Sequence, residues 1–317
     1  MSRIRIGGGK MNDGIDASVV SRSDDSRAAS IDMLIALLPA FIWAVTVFGW
    51  RAIFVTAISV GSCMGLEYLY FRAVKKSYRR LEPSTAVVGV LLSFGMPSRV
   101  ALWLIPVGAL IAIAVRVLQG NAFKGTVVPV ITARVLLSAF RGTGLMSFLE
   151  PVTDAPASDT VLSSLSSGVI PEDIGILKAF FGFCPGNIGE VSVFLLLLGG
   201  VHLTVRRVIS WETPLAFIGT VAAWSVIFPR AGGNAEFMLY SLFSGGFIFC
   251  AVFVASDRNI APLKAKGRLL FGIGCGAVTL LIRGLCYYPD GAFLAVMITL
   301  ICTYIMRRFT ASFIKKH

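Results

Sequence analysis

Runs of about 20 apolar residues recur along almost the whole chain, the length a helix needs to cross roughly 30 Å of hydrocarbon. Ten hydrophobic segments are legible, at about 31–50, 52–71, 84–97, 100–118, 126–141, 188–205, 211–229, 237–255, 267–284 and 289–308. Hydrophobic residues make up 56% of the 317 positions and charged residues only 15%, whereas a soluble domain carries about 25% charged residues. A soluble enzyme, a secreted disulfide scaffold and a disordered chain are excluded. The pattern predicts an all-α integral membrane protein of ten transmembrane helices.

Charge supplies the orientation. The balance of 29 Lys+Arg against 17 Asp+Glu gives +12, which in a soluble protein would suggest nucleic acid. Here the cations fall where an inner-membrane protein places them, in alternate gaps. Arg72, Lys75, Lys76, Arg79 and Arg80 follow the second segment, and Arg116 and Lys124 the fourth. Arg206 and Arg207 follow the sixth, Arg258, Lys264, Lys266 and Arg268 the eighth, and Arg307, Arg308, Lys315 and Lys316 close the chain. The opposite gaps are poor in cations, and the longest is acidic, with Glu150, Asp154, Asp159, Glu172 and Asp173 against Lys178. Both termini are therefore expected in the cytoplasm and residues 142–187 outside. Residues 1–30, polar and without an apolar core, read as a flexible cytoplasmic tail rather than a signal peptide. Residues 310–317 read as a basic cytoplasmic tail.

The outer loop divides the segments five and five, as 31–141 and 188–309. Five is odd, so the second set must run opposite to the first, the geometry of two inverted five-helix repeats. Weak internal likenesses agree. The glycine-bearing span ending at Pro97-Ser98-Arg99 resembles Ser244-Gly245-Gly246 through Ser256-Asp257-Arg258, and Gly120-Asn121-Ala122-Phe123 resembles Asp290-Gly291-Ala292-Phe293. The third and fifth segments are short and carry Gly89, Gly95 and Pro97, or Pro129, which reads as broken or tilted spans.

Ionisable groups inside a span are expensive and are functional candidates. Glu67 either ligates a cation or relays a proton, or it pairs with Arg72 or Lys75 at the interface. Arg134 and Arg283 either snorkel outward or hold an anionic cofactor phosphate. Glu190 opens the sixth segment, where a carboxylate suits the positive end of a helix. His202 is expected at a helix end beside Arg206 and Arg207. The cysteines Cys63, Cys184, Cys250, Cys275, Cys286 and Cys302 form no CxxC pair, so neither a disulfide framework nor a metal cluster is indicated. No P-loop, GxGxxG, HExxH or GxSxG context appears, which argues against an ATPase, protease or hydrolase.

Several of these patches together resemble one family. Cys184-Pro185-Gly186-Asn187-Ile188-Gly189-Glu190-Val191-Ser192 is similar to the "PGSIGETS" signature of the D subunit of Rnf complexes and of the related B subunit of sodium-pumping NADH:quinone reductase. Phe253-Val254-Ala255-Ser256-Asp257 resembles that family's "FMATDP". Gly267-Arg268-Leu269-Leu270-Phe271-Gly272, Leu281-Ile282-Arg283 and Tyr288-Pro289-Asp290-Gly291 resemble "GRxIYG…LIR…YPEG", and Thr85–Leu92 through Pro97 the early "AVVTGLLLALTLPP" span. The likeness runs in order from about residue 31 to 309.

The resemblance implies a ten-span membrane subunit of an ion-translocating oxidoreductase, with flavin and iron–sulfur proteins as partner subunits and Na⁺ or H⁺ as the moved ion. Glu67 and Asp257 are then candidates for the ion path, and Arg283 for a cofactor phosphate. It also implies FMN joined by a phosphoester to a threonine of "SGAT(P)" in the outer loop. The matching stretch is Ser166-Ser167-Gly168-Val169-Ile170-Pro171, and Ile170 stands where the threonine belongs. Isoleucine has no hydroxyl, so a covalent link is expected only if Ser166, Ser167 or Thr160 substitutes. FMN held without a covalent bond, or no flavin at all, are the other readings. Further departures are Asn121-Ala122-Phe123-Lys124-Gly125-Thr126 for the family's "NPFNPA", Arg258 for its proline after aspartate, and Leu300 for an asparagine. A competing class is a flavin-free solute channel built like the urea transporters, or a scaffold subunit.

Overall fold

In the computed structural model the described backbone comprises residues 10–74, 82–119, 125–139, 161–167, 174–190, 192–228, 233–244, 246–258, 260, 264–285 and 291–314. All named elements among them are helical. Helix α1 is Lys10–Phe48, α2 Trp50–Ala73, α3 Pro83–Phe94, α4 Leu104–Gln119 and α5 Val127–Ala139. Two short helices follow, α6 (Val161–Ser166) and α7 (Ile176–Phe181), then a 3₁₀ turn at Ile188–Glu190. The second set is α8 (Val193–Val205), α9 (Glu212–Ile227), α10 (Asn234–Phe243), α11 (Phe247–Phe249) with a π turn Cys250–Val254, α12 (Ala265–Leu285) and α13 (Gly291–Ile314).

Three helices are long and apolar enough to cross a bilayer alone: Ser26–Phe48, Trp50–Ala73 and Ala265–Gly284. A fourth crossing is available if Asn234–Phe243 and Phe247–Val254, bent by 64° at their junction, count as one broken span. The remaining apolar segments each hold a shorter helix of 10–17 residues. The tail reading is corrected for residues 10–30, which continue the first span as helix α1. A polar stretch forms helix readily when it propagates from a turn that already exists, because nucleation is the costly step.

Proline more often starts a helix here than breaks one. Pro83, Pro106, Pro129 and Pro214 lie in the first turns of α3, α4, α5 and α9, where a missing N–H costs no intrahelical bond. So α5 runs unbroken past Pro129, which removes the broken alternative of the broken-or-tilted expectation. Pro39 is interior to α1, which continues past it. The interrupted helices are those of the third and eighth segments. Helix α3 stops at Phe94, and α10 stops at Phe243, after which Ser244 is extended and Gly246 is left-handed at φ 60°. Gly49, at φ 66°, makes the tight reversal from α1 into α2, a conformation glycine adopts without strain.

Within the first set, α2 packs on α3 and α4, α4 on α5, α1 on α3, and α3 on α5. Within the second, α9 packs on α10 and α12, α12 on α13, α8 on α11 and its π turn, and the π turn on α13. The sets join through α1 against α8 and α5 against α13. Helices α1 and α8 run antiparallel. The Trp43 indole near the end of α1 donates to the Phe181 carbonyl before α8 (2.8 Å), and Asp32 near the start of the span pairs with Arg206 just after α8. Backbones approach closely where glycine permits. A side chain on Gly199 would meet the Ala36 carbonyl oxygen at 2.5 Å, on Gly89 the Val60 Cα at 2.6 Å, and on Gly272 the Thr213 carbonyl oxygen at 2.5 Å. Small residues at such crossings are how membrane helices gain van der Waals contact without a hydrophobic drive.

Candidate functional site

The two interrupted helices meet in the core around α8. Past α3, the Met96 carbonyl accepts from the Ile188 N–H (3.0 Å), and Pro97 bridges to Asn187 by backbone pairing. Past the π turn, Asp257 bridges to Ile209 in the same way. Thus the two ends of α8 are tied to the two interrupted spans. Between them lies a column of buried rings: Phe94 stands 5.8 Å from Phe249, which stands 5.7 Å from Phe253 and 6.1 Å from Phe293. These rings are fully or almost fully buried, so they fill the space between the breaks with hydrocarbon. A π turn such as Cys250–Val254 widens a helix locally and recurs at functional positions.

An arginine stands at each interruption. Arg134 of α5 is buried, 4% exposed, with its Cδ beside Gly95 at the end of α3 and its guanidinium 6.0 Å from the Phe293 ring. It does not snorkel outward, because α3 and α13 close over it. Arg283 of α12 donates to the Ser241 carbonyl at 2.8 Å and the Ser244 carbonyl at 3.4 Å, with its guanidinium 5.4 Å from the Phe247 ring. Those carbonyls have lost their helical partners at the end of α10, and a cation suits the negative end of a helix. What geometry gives Arg283 is a capping role at the break. A role toward a cofactor phosphate rests on the sequence reading of an arginine inside a span and on the family resemblance.

Glu67 lies in a network that sequence reading did not find. Its carboxylate accepts from the Thr85 hydroxyl and faces Arg116 Nε at 3.6 Å, and Arg116 also reaches Ser84 (2.5 Å) and Glu82 (3.8 Å). Its cation is therefore Arg116 of α4 rather than Arg72, while Lys75 lies outside the described residues. Two further pairs were missed: Arg268–Glu212 at 2.7 Å between α12 and α9, and Arg206, whose Nε faces both Asp32 oxygens at 3.1–3.2 Å. Each joins residues far apart in sequence. Their only linear signal is that every member sits at the end of an apolar segment predicted to face the cytoplasm.

Asp257 is half-buried at the turn after the π segment, beside Ser256, whose hydroxyl donates to the Val252 carbonyl. Glu67, Asp257 and Arg283 thus belong to three separate places: the α2–α4 clasp, the far end of α8, and the α10 break. In the loop between the two sets, Ser167 is exposed and donates to the Ser164 carbonyl at 2.8 Å. Gly168 and Ile170 lie outside the described residues, as do the side chains of Ser166 and Glu190. A phosphoester to FMN does not fit Ile170, which offers no oxygen, and the described Ser167 hydroxyl is turned to its own helix. His202 occupies the last turn of α8, as expected. Cys63, Cys184, Cys250 and Cys275 are buried, and Cys302 is exposed.

Comparison with known proteins bears on what such a scaffold is. Residues 16–315 match the family described as NQR2, RnfD, RnfE. The chain is 31% identical over 306 residues to the D subunit of the Na⁺-translocating ferredoxin:NAD⁺ oxidoreductase complex of Acetobacterium woodii, covering 95% of this chain and 94% of that protein. It is 27% identical over 315 residues to the D subunit of the proton-translocating ferredoxin:NAD⁺ oxidoreductase complex of Clostridium ljungdahlii, covering 93% and 94%. It is 28% identical over 274 residues to the B subunit of the Na⁺-translocating NADH-quinone reductase of Chromohalobacter salexigens, covering 82% and 65%.

Proposed function

Because the chain belongs to the NQR2, RnfD, RnfE family, we propose that it is the membrane subunit of an Rnf-type complex that couples electron transfer to outward movement of Na⁺ or H⁺. Its partners are the flavin and iron–sulfur subunits of that complex, and its place is the inner membrane, with both termini inside and residues 142–187 outside. It crosses the bilayer ten times as two inverted five-helix sets. The observation that carries this architecture is the packing: the principal contacts of the first set have counterparts in the second, and α1 runs antiparallel to α8.

The chain's own residues do two things in this reading. The helices seal the bilayer, with the buried Phe94, Phe249, Phe253 and Phe293 rings as a dry barrier where both interrupted spans end. Glu67 and Asp257 offer carboxylate oxygens on the ion path. Moving one charge against 100 mV costs about 2.3 kcal/mol, so a redox drop of that size must be coupled to opening the barrier. If flavin is bound, it is held without a covalent link, through ring burial and phosphate contacts.

The test is ion uptake by inverted membrane vesicles supplied with reduced ferredoxin and NAD⁺, with and without the gene for this subunit. Uptake of Na⁺ or H⁺ that depends on the subunit supports the reading. Passive solute flux through the isolated protein, with no electron-driven uptake, overturns it in favour of a channel.

A further inference from the structure

The end of α8 breaks a local rule. Val208 N–H reaches the Leu203 carbonyl (2.9 Å) and Arg207 N–H the Thr204 carbonyl (3.0 Å), the paired bonds of a Schellman helix ending. The residue between, left-handed at φ 56°, is Arg207. Glycine is the usual occupant, because a side chain is strained there. An exposed arginine gains nothing in packing at that position, and strained residues persist where the side chain has a task.

Its surroundings suggest the task. The backbone bridge between Ile209 and Asp257 lays Arg258 alongside the Arg206-Arg207 turn, and Arg268 is drawn in by its ion pair with Glu212 at the start of α9. Lys264 and Lys266 are exposed at the start of α12. Asp32 and Glu212 engage Arg206 and Arg268, and Arg258 also lies within electrostatic reach of Glu212, whereas Arg207, Lys264 and Lys266 have no ion-pair partner among the described residues. Around this patch the surface turns apolar at once: Val205, Trp211, Leu215 and Leu270 are each more than half exposed. Exposed tryptophan beside lysine and arginine at helix ends is the signature of a membrane–water boundary.

We propose that this corner is a binding site for the phosphate of an anionic phospholipid in the cytoplasmic leaflet. Arg207, Arg258, Lys264 and Lys266 engage the headgroup, and Trp211, Val205, Leu215 and Leu270 lie along the acyl chains. The apolar rim favours lipid over a soluble acidic partner, because a headgroup clamp needs both surfaces in contact. The site rests on the bilayer-embedded reading but not on ion movement.

The full chain in nanodiscs of phosphatidylcholine, alone or with about 30 mol% phosphatidylglycerol, provides the test. The wild type gains about 4 °C in melting temperature with phosphatidylglycerol, as expected when an anion binds only the folded state. Arg207→Gly melts higher than wild type in phosphatidylcholine alone, since the strain is gone, yet shows less than half that gain. Arg207→Lys keeps the gain, and Arg258→Gln with Lys264→Gln reduces it even if Arg207→Gly fails to fold. The proposal is overturned if Arg207→Gly keeps the full gain, or if Arg99→Gln, remote from the patch, loses as much. It is also overturned if inorganic phosphate in phosphatidylcholine discs reproduces the shift. Loss of a partner subunit from purified Arg207→Gly complex, with the lipid gain intact, overturns it as well.

Discussion

The two helix sets agree in packing and differ in where their charges lie. Helix α2 meets α4 as α9 meets α12, and each crossing carries a carboxylate–arginine pair, Glu67–Arg116 in one set and Glu212–Arg268 in the other. Yet the first pair sits at the C-terminal ends of its helices and the second at the N-terminal ends. A repeat that copied its charges would put the pairs on opposite membrane faces. In the proposed inverted arrangement both face the cytoplasm, as does Asp32–Arg206. Helix packing follows the proposed internal duplication, whereas charge follows the membrane, because cations are retained on the inner side whichever way a helix runs.

The largest effects test whether both sets depend on backbone contact alike. Gly272→Leu and Gly89→Leu should each cost about 3 kcal/mol or more, because the new side chain meets backbone at 2.5 and 2.6 Å. Gly61→Leu, with open space at that position, should change stability by less than about 0.5 kcal/mol. Thermal unfolding in detergent reads all three. A tolerant Gly89 beside an intolerant Gly272 would break the equivalence of the sets.

Next come the interruptions. Arg283→Met strands the Ser241 and Ser244 carbonyls and should destabilise by about 1–3 kcal/mol, with Arg283→Lys restoring part of it. Arg134→Met should behave similarly, and its buried position makes partial restoration by lysine poorer. Equal rescue by lysine at both sites would show that the two arginines do the same work.

The ion pairs sharpen the contrast further. In a double-mutant cycle, Glu212 with Arg268 at 2.7 Å should couple by about 1–2 kcal/mol. Glu67 with Arg116 at 3.6 Å should couple by less than about 1 kcal/mol, because Thr85 and Ser84 share the binding. Of the charge changes the smallest is Asp32→Asn, expected to cost under about 1 kcal/mol and to matter less at high salt, since Arg206 is largely solvated.

The all-helical character was legible from hydrophobic run length, which is a property of segments. What was hidden depends on contacts between segments. The break after Phe243 has no proline to announce it, and of the broken or tilted span that Pro129 suggested the break is absent, because a first-turn proline and an interior one read alike in sequence. Glu67 was recognisable as costly inside a span. Its partner Arg116 was not, because it stands two helices further on, and periodicity does not reveal which side of α4 faces α2. The family patches were readable in order, and so was the absence of a hydroxyl at Ile170.

Sets inverted across a bilayer put residues 142–187 and the chain after Gln119 on opposite sides of it. Alkaline phosphatase fused within 142–187 should be active while green fluorescent protein fused there stays dark, and fusions after Gln119 should show the reverse. Fluorescence from the 142–187 fusion, with no phosphatase activity, would place that loop inside the cell and contradict the account.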